Sequence, residues 1–206
     1  MKNLILARAE RSGLTCDDCF DDWQTLLGYL TDDYSTQERF FRQYYNAFKN
    51  ELNEPFRTDG QRKKDPLGYI ATRSNLLSIF EELICRDLPG FMRDILACGE
   101  IYSHFILSSD EKTKYTNSLI ELNRIQGAPS YLLLMYLFKK QSELEIPDDD
   151  LQHTIELLTR FFVRRNITDT PNTRDLNKIF MQIISDIEGN NIKGATIYQH
   201  IYEEIV

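Results

Sequence analysis

The chain has 206 residues, with 24 Lys and Arg against 32 Asp and Glu, and so a formal charge of −8. That length builds a core without disulfide staples, and 42% hydrophobic residues place it outside the disordered class. Nine Gly and six Pro are too few turn-formers for a many-stranded sandwich or barrel, so the expected fold is all-α, a bundle of about eight to ten helices.

The N-terminal stretch from Met1 to Arg8 carries too short an apolar run, and no cleavage pattern, for a secretory signal. No apolar run approaches the roughly 18 to 20 residues that span a bilayer, and the greasiest, Leu132 to Phe138, is cut off by Lys139 and Lys140. A cytoplasmic protein is therefore expected, with no membrane partner and with Cys16, Cys19, Cys85 and Cys98 as thiols.

A 3.6-residue apolar period recurs along the chain. Leu4, Ile5 and Arg8 read as mid-helix from the first residues, and Trp23, Leu26, Leu27 and Leu30 fall on one helix face. Ser35 and Glu38 have capping-box spacing, with Ser35 as the expected N-cap, ahead of an aromatic stripe of Phe40, Phe41, Tyr44, Tyr45 and Phe48. Stacked aromatics can hold bases or cofactors, but at helical spacing they read as core. Residues 53–65 break the pattern, since Pro55, Gly60 and Pro66 flank a charged run that includes Arg57, Arg62, Lys63 and Lys64; an exposed loop is expected there.

Helix resumes over 74–85 through Leu76, Leu77, Phe80, Leu83 and Ile84, and Pro89-Gly90 separates it from a helix over about 91–107. Ser108 to Glu111 is expected to start the next, with Tyr115, Leu119, Leu122 and Ile125 on one face and Gly127 as its stop. Pro129 opens a strongly apolar helix to Lys140, which should be central. Ile146-Pro147-Asp148 introduces a helix over about 148–164 with Leu151, Ile155, Leu158 and Phe162 on one side. After a break at 166–173, Leu176, Ile179, Phe180, Ile183, Ile184 and Ile187 mark a helix over 175–187, and residues 196–206 form the last. Both termini read as cuts within helical sequence. One domain over 1–206 is expected, with a possible subdivision near 53–66, as a fragment of a larger protein.

Chemistry-bearing patterns are sparse. Cys16-Asp17-Asp18-Cys19 has the spacing of a zinc or redox pair, but Cys85 and Cys98 form no second close pair and no strand precedes it. Two small thiols flanking acidic cap residues are the preferred reading. His104, His153 and His200 stand about fifty residues apart, outside any His-Glu-x-x-His or His-x-His arrangement, and read as surface or packing histidines. Asp148, Asp149 and Asp150 sit where a helix dipole favours negative charge. Phosphate-loop, dinucleotide and nucleophile-elbow signatures are missing, so no catalytic, cofactor or metal residue is assigned.

Basic residues cluster at Arg57, Arg62, Lys63 and Lys64 and again at Arg160, Arg164, Arg165 and Arg174. Such clusters bind phosphates, although the overall acidity works against nucleic-acid binding by this chain alone. Arg160 and Arg164 share a helix face, where pairing with Asp169 or Asp175 is the competing role for at least one of them.

The segment from Phe161 to Phe180, a hydrophobic helix ending in Arg164-Arg165, a polar turn and then Leu176-Asn177-Lys178-Ile179-Phe180, resembles the helical region of the GmrSD-type restriction endonuclease family. Lys2-Asn3-Leu4-Ile5, Ile101-Tyr102 and the stretch from Ala128-Pro129 to Leu137 resemble further helices of that region, in order. Members resemble ParB-like proteins at the N-terminus, where an Asp-Gly-Gln-Arg-type motif serves nucleotide hydrolysis, and many end in an HNH-like nuclease domain. Asp59-Gly60-Gln61-Arg62 matches that first motif only superficially, since it follows helices that should come after the nucleotidase domain. Three isolated histidines cannot supply an HNH metal centre.

The resemblance therefore implies a non-catalytic middle domain of a phage-defence protein. Its partners are the missing nucleotidase and nuclease domains, and DNA is met only through the parent. Arg160, Arg164, Arg165 and Arg174 are then the candidate contact with DNA or with a neighbouring domain. The rival readings are a stand-alone helical protein-interaction module and an independent enzyme built on Cys16, Cys19 or scattered carboxylates.

Overall fold

The computed structural model describes residues 1–53, 67 and 69–206, with the side chains of Thr173 and Arg174 outside that description. The expected loop over 53–65, its basic cluster and the Asp59-Gly60-Gln61-Arg62 motif thus lie almost entirely outside the described residues. Among those residues there are ten α-helices and no strand, so the chain is an all-α multi-helical protein. Its contacts divide it into two compact units, Met1–Glu100 and Ile101–Val206.

The first unit holds α1 (Lys2–Ala9), α2 (Cys16–Leu30), α3 (Tyr34–Asn53), α4 (Leu76–Arg86) and the first part of α5 (Leu88–Phe105). α1 packs on α2 and α4, and α3 packs on both α2 and α4. The aromatic stripe of α3 is core, as its spacing predicts: Phe40, Phe41, Tyr44, Tyr45 and Phe48 are all buried. Phe41 stacks on Trp23 of α2, with ring centroids 6.0 Å apart, and meets Phe80 of α4 edge-on at 5.3 Å. Phe80 in turn meets Phe91 of α5 at 5.7 Å, so one aromatic chain joins four helices. Gly99 permits α5 to approach α2, because a Cβ there would lie 2.5 Å from the Leu26 side chain.

Local capping corrects several sequence-based boundaries. α2 starts at Cys16, seven residues before the first periodic residue, because the Thr15 hydroxyl accepts a hydrogen bond from the Asp18 N–H at 3.0 Å. α3 is capped by Asp33 and not by Ser35: the Asp33 carboxylate accepts from the backbone N–H groups of Ser35 and Thr36 at 3.3 and 2.9 Å. Glu38 instead pairs with Arg42 and Arg73. Leu77, expected in the core, is 63% exposed, and Ile79 takes the buried position. The break before α5 falls at Asp87, whose carboxylate accepts from Gly90 N–H at 3.0 Å, so Pro89 stands within the first turn where a missing N–H costs nothing.

The second unit holds the end of α5 with α6 (Thr116–Arg124), α7 (Tyr131–Lys139), α8 (Asp148–Thr168), α9 (Thr173–Gly189) and α10 (Thr196–Ile205). Every residue from Tyr131 to Leu137 is buried, so α7 is the central helix of this unit. It packs on α8 and α9, while α8 also packs on α6 and α10, and α9 on α10. Tyr131 contacts the rings of Tyr102 and Phe105, and Phe138 contacts those of Phe105 and Tyr115. Ser108 to Glu111 precedes α6 without belonging to it; the Thr113 N–H donates to the Thr116 hydroxyl at 2.9 Å, and the helix starts there. α8 runs to Thr168, past the expected end at 164, because its polar last turn is held by the contacts described below. No helix among the described residues is long and apolar enough to cross a membrane.

Candidate functional site

The arginines singled out by sequence lie at the C-terminal end of α8 and the start of α9, and they divide into separate roles. Leu151, Ile155, Leu158, Phe161 and Phe162 turn one side of α8 into the core of the second unit. The other side presents Arg160, Val163, Arg164 and Ile167, which follow the i, i+3, i+4, i+7 spacing of a single face and are all exposed. Val163 is 44% exposed and Ile167 81% exposed. The guanidinium of Arg164 also donates to the Ile205 carbonyl at 3.4 Å, at the end of α10 where unsatisfied carbonyls leave partial negative charge.

Arg165 is only 19% exposed, and it anchors the turn between α8 and α9. Its Nε donates to the Pro171 carbonyl at 3.2 Å, and its guanidinium lies 3.7 Å from the Asp169 carboxylate. The pairing with Asp169 expected for Arg160 or Arg164 therefore belongs to Arg165. Asp169 itself adopts a left-handed backbone, φ 52°, and its N–H donates to the Arg165 carbonyl at 2.7 Å, which closes the helix. Asp175 is held by Asn172 at 2.6 Å and by Lys178 at 3.4 Å. The side chain of Arg174 lies outside the described residues.

Residues 160–178 carry five basic side chains (Arg160, Arg164, Arg165, Arg174 and Lys178) against two acidic ones (Asp169 and Asp175), an excess of three positive charges. The surrounding stretch 101–206 has eleven basic against fifteen acidic residues, a net −4. The end of α8 is thus a local basic spot with two exposed aliphatic side chains set between its arginines.

The other sequence candidates take structural places. Cys16 is exposed in the first turn of α2 and Cys19 is buried one turn on. Burial pushes the Cys19 thiol up, and the charges of Asp22, Cys16 and Asp18 push it further, the reverse of what activates a thiolate. Asp148 accepts hydrogen bonds from Lys114, from Gln141 at 2.7 Å and from Tyr115 at 3.3 Å. These bonds, that from Lys114 first, hold its carboxyl below the usual range.

The histidines do not share one role. His104 is half-buried near the end of α5, and the ring of His153 lies 6.0 Å from that of Tyr198. His200, read from the sequence as a surface or packing residue, stands with Asp186 and Glu204 so that one nitrogen or oxygen of each lies within 4.8 Å of the others. Its Nε2 is buried without a hydrogen-bond partner and sits 3.8 Å from Asp186 Oδ2. An orphaned buried polar atom costs about 1–3 kcal/mol unless something satisfies it. The legible signal was the four-residue spacing of His200 and Glu204 on one face of α10; Asp186 enters from α9 and has no sequence link to them.

The chain matches no family model, and it is similar to no characterised protein and to no solved structure at a significant level.

Proposed function

We propose that this chain is the non-catalytic helical coupling domain of a GmrSD-like restriction protein, and that the exposed face of α8 is where it meets a neighbouring domain of that system. The observation that carries the second part is the make-up of the face: Arg160 and Arg164 alternate with Val163 and Ile167. A phosphate backbone offers little to an isoleucine that is 81% exposed. A protein surface offers an apolar contact, and fully burying one such side chain is worth about 1.5–3 kcal/mol. Two arginines at the rim suit an acidic partner and set the register of docking. The family part rests on the resemblance over residues 161–180 and on the order of the helices around it. The same mixed face also favours the second reading, a stand-alone helical module that binds a partner protein.

Expression of the chain together with the open reading frames on either side of its gene tests both readings. The expected result is a continuing or adjacent frame with nucleotidase or HNH-type nuclease motifs whose product co-purifies, and loss of that complex on Ile167→Asp. The chain alone should hydrolyse no nucleotide and cut no DNA. Flanking frames without those motifs, or hydrolysis by the chain that survives repurification, overturn the restriction reading.

A further inference from the structure

α9 and α10 bring two carboxylates and an imidazole together. We propose that Asp186, His200 and Glu204 form a binding site for one divalent transition-metal ion of the zinc class. His200 and Glu204, four residues apart, project from one face of α10, and Asp186 reaches them from α9. The donor set is one imidazole nitrogen and two carboxylate oxygens, with two negative charges to balance a divalent cation. A nitrogen donor selects zinc-class ions over magnesium and calcium, which take all-oxygen shells.

Three details separate this cluster from a chance meeting of polar side chains. His200 Nε2, the atom that would ligate, is covered and lacks a hydrogen-bond partner. Gln182 Nε2 donates to Asp186 Oδ1 at 2.8 Å, which orients the carboxylate and leaves Oδ2, the oxygen 3.8 Å from His200, for the ion. Donors bound about 2.0–2.2 Å from a tetrahedral zinc stand roughly 3.3–3.6 Å apart, so closing the site on an ion needs only side-chain adjustment. Glu204 is exposed, and with three protein donors a fourth position would be left for water. A bound ion pins α10 to α9.

The test is calorimetric titration of the chelator-stripped full chain with zinc chloride alone, with magnesium chloride as contrast. One equivalent of zinc and no magnesium should bind. His200→Gln and Asp186→Asn should each weaken zinc binding at least about tenfold, and Gln182→Ala about tenfold by freeing the carboxylate. Glu204→Gln, at an exposed position that leaves folding intact, should weaken it as well. Because free thiols also bind zinc, a Cys16→Ser/Cys19→Ser double variant is the control and should keep the site. Absence of stoichiometric zinc binding, binding undiminished by His200→Gln or Glu204→Gln, or binding lost in the cysteine variant overturns the proposal. A thermal midpoint raised by zinc in the unaltered protein but not in Glu204→Gln supports it independently.

Discussion

Asn46, in the middle of α3 and 4% exposed, is a polar side chain in an aromatic core, and its hydrogen bonds explain it. Its Oδ1 accepts from the Ala71 N–H at 2.7 Å and its Nδ2 donates to the Ala71 carbonyl at 3.2 Å, so one carboxamide satisfies both backbone groups of a buried residue with no helix or strand to satisfy them. Tyr45, next along, donates its hydroxyl to the Leu67 carbonyl at 2.5 Å. Together they fasten the segment entering α4 onto α3. Asn46→Ala leaves the Ala71 N–H and C=O unpaired in a dry site and should lower stability by about 1–3 kcal/mol, read as a shifted urea midpoint with an unchanged slope. An Asn46→Ala midpoint equal to that of the unaltered protein would sink this account. Nothing in the local sequence announces the clamp, because its partner lies twenty-five residues away and contributes only backbone. The apolar neighbours Phe40, Phe41, Tyr44 and Phe48 were legible, since helical spacing alone assigns them to one side.

Helix ends were harder to place than helix faces, and Asp33 shows why. Sequence offered Ser35 with Glu38 as a capping box, but Asp33 stands two residues earlier and accepts from two backbone N–H groups and the Thr36 hydroxyl, the last at 2.6 Å. Asp32, Asp33, Ser35 and Thr36 lie so close together that each could cap, which leaves the cap ambiguous until the chain direction is known. Those hydrogen bonds, led by the two from Thr36, hold the Asp33 carboxyl below the usual carboxylate range. A carboxyl whose value is depressed on folding stabilises the protein above its unfolded value, and that contribution is lost as pH falls through the folded one. Asp33→Ala should therefore lower the thermal midpoint at neutral pH, and the gap from the unaltered protein should close in acid, below the ordinary carboxylate range. Asp33→Asn, which keeps an acceptor, should recover much of the neutral-pH loss without that acid dependence. A gap that persists unchanged in strong acid overturns the assignment. α8 shows the complementary failure: its apolar period fades near 164, yet the helix continues because Arg165, Asp169 and the Thr168 hydroxyl, which donates to the Arg164 carbonyl at 3.0 Å, sustain the last turn. Periodicity reads the buried face and is blind to polar turns held by side chains.

At the scale of the whole molecule, the scarcity of Gly and Pro was enough to foresee an all-α chain, because turn-poor sequences have few ways to reverse direction except between long helices. The candidate sites were less legible. The face of α8 emerged only when burial separated Arg160 and Arg164 from Arg165, and the Asp186–His200–Glu204 trio needed two helices to meet. Charge is the property that belongs to the molecule as a whole, and it bears on the partner proposed for the α8 face. The net −8 is spread evenly: residues 1–100 carry thirteen basic against seventeen acidic side chains, and residues 101–206 eleven against fifteen. Neither half is a basic domain, so the local excess of three charges near Arg160 must attract a polyanion against net negative charge in each. Non-specific DNA binding is almost wholly electrostatic and reaches only about 10⁻⁴–10⁻⁶ M at physiological salt even for DNA-binding proteins. The isolated chain should therefore show no binding to a labelled duplex at that ionic strength by fluorescence anisotropy, and Arg160→Glu/Arg164→Glu should leave that result unchanged while weakening the partner domain's hold. Micromolar binding that falls steeply with salt and vanishes in the double variant would reassign the face to DNA, because only direct phosphate contacts produce both effects at once.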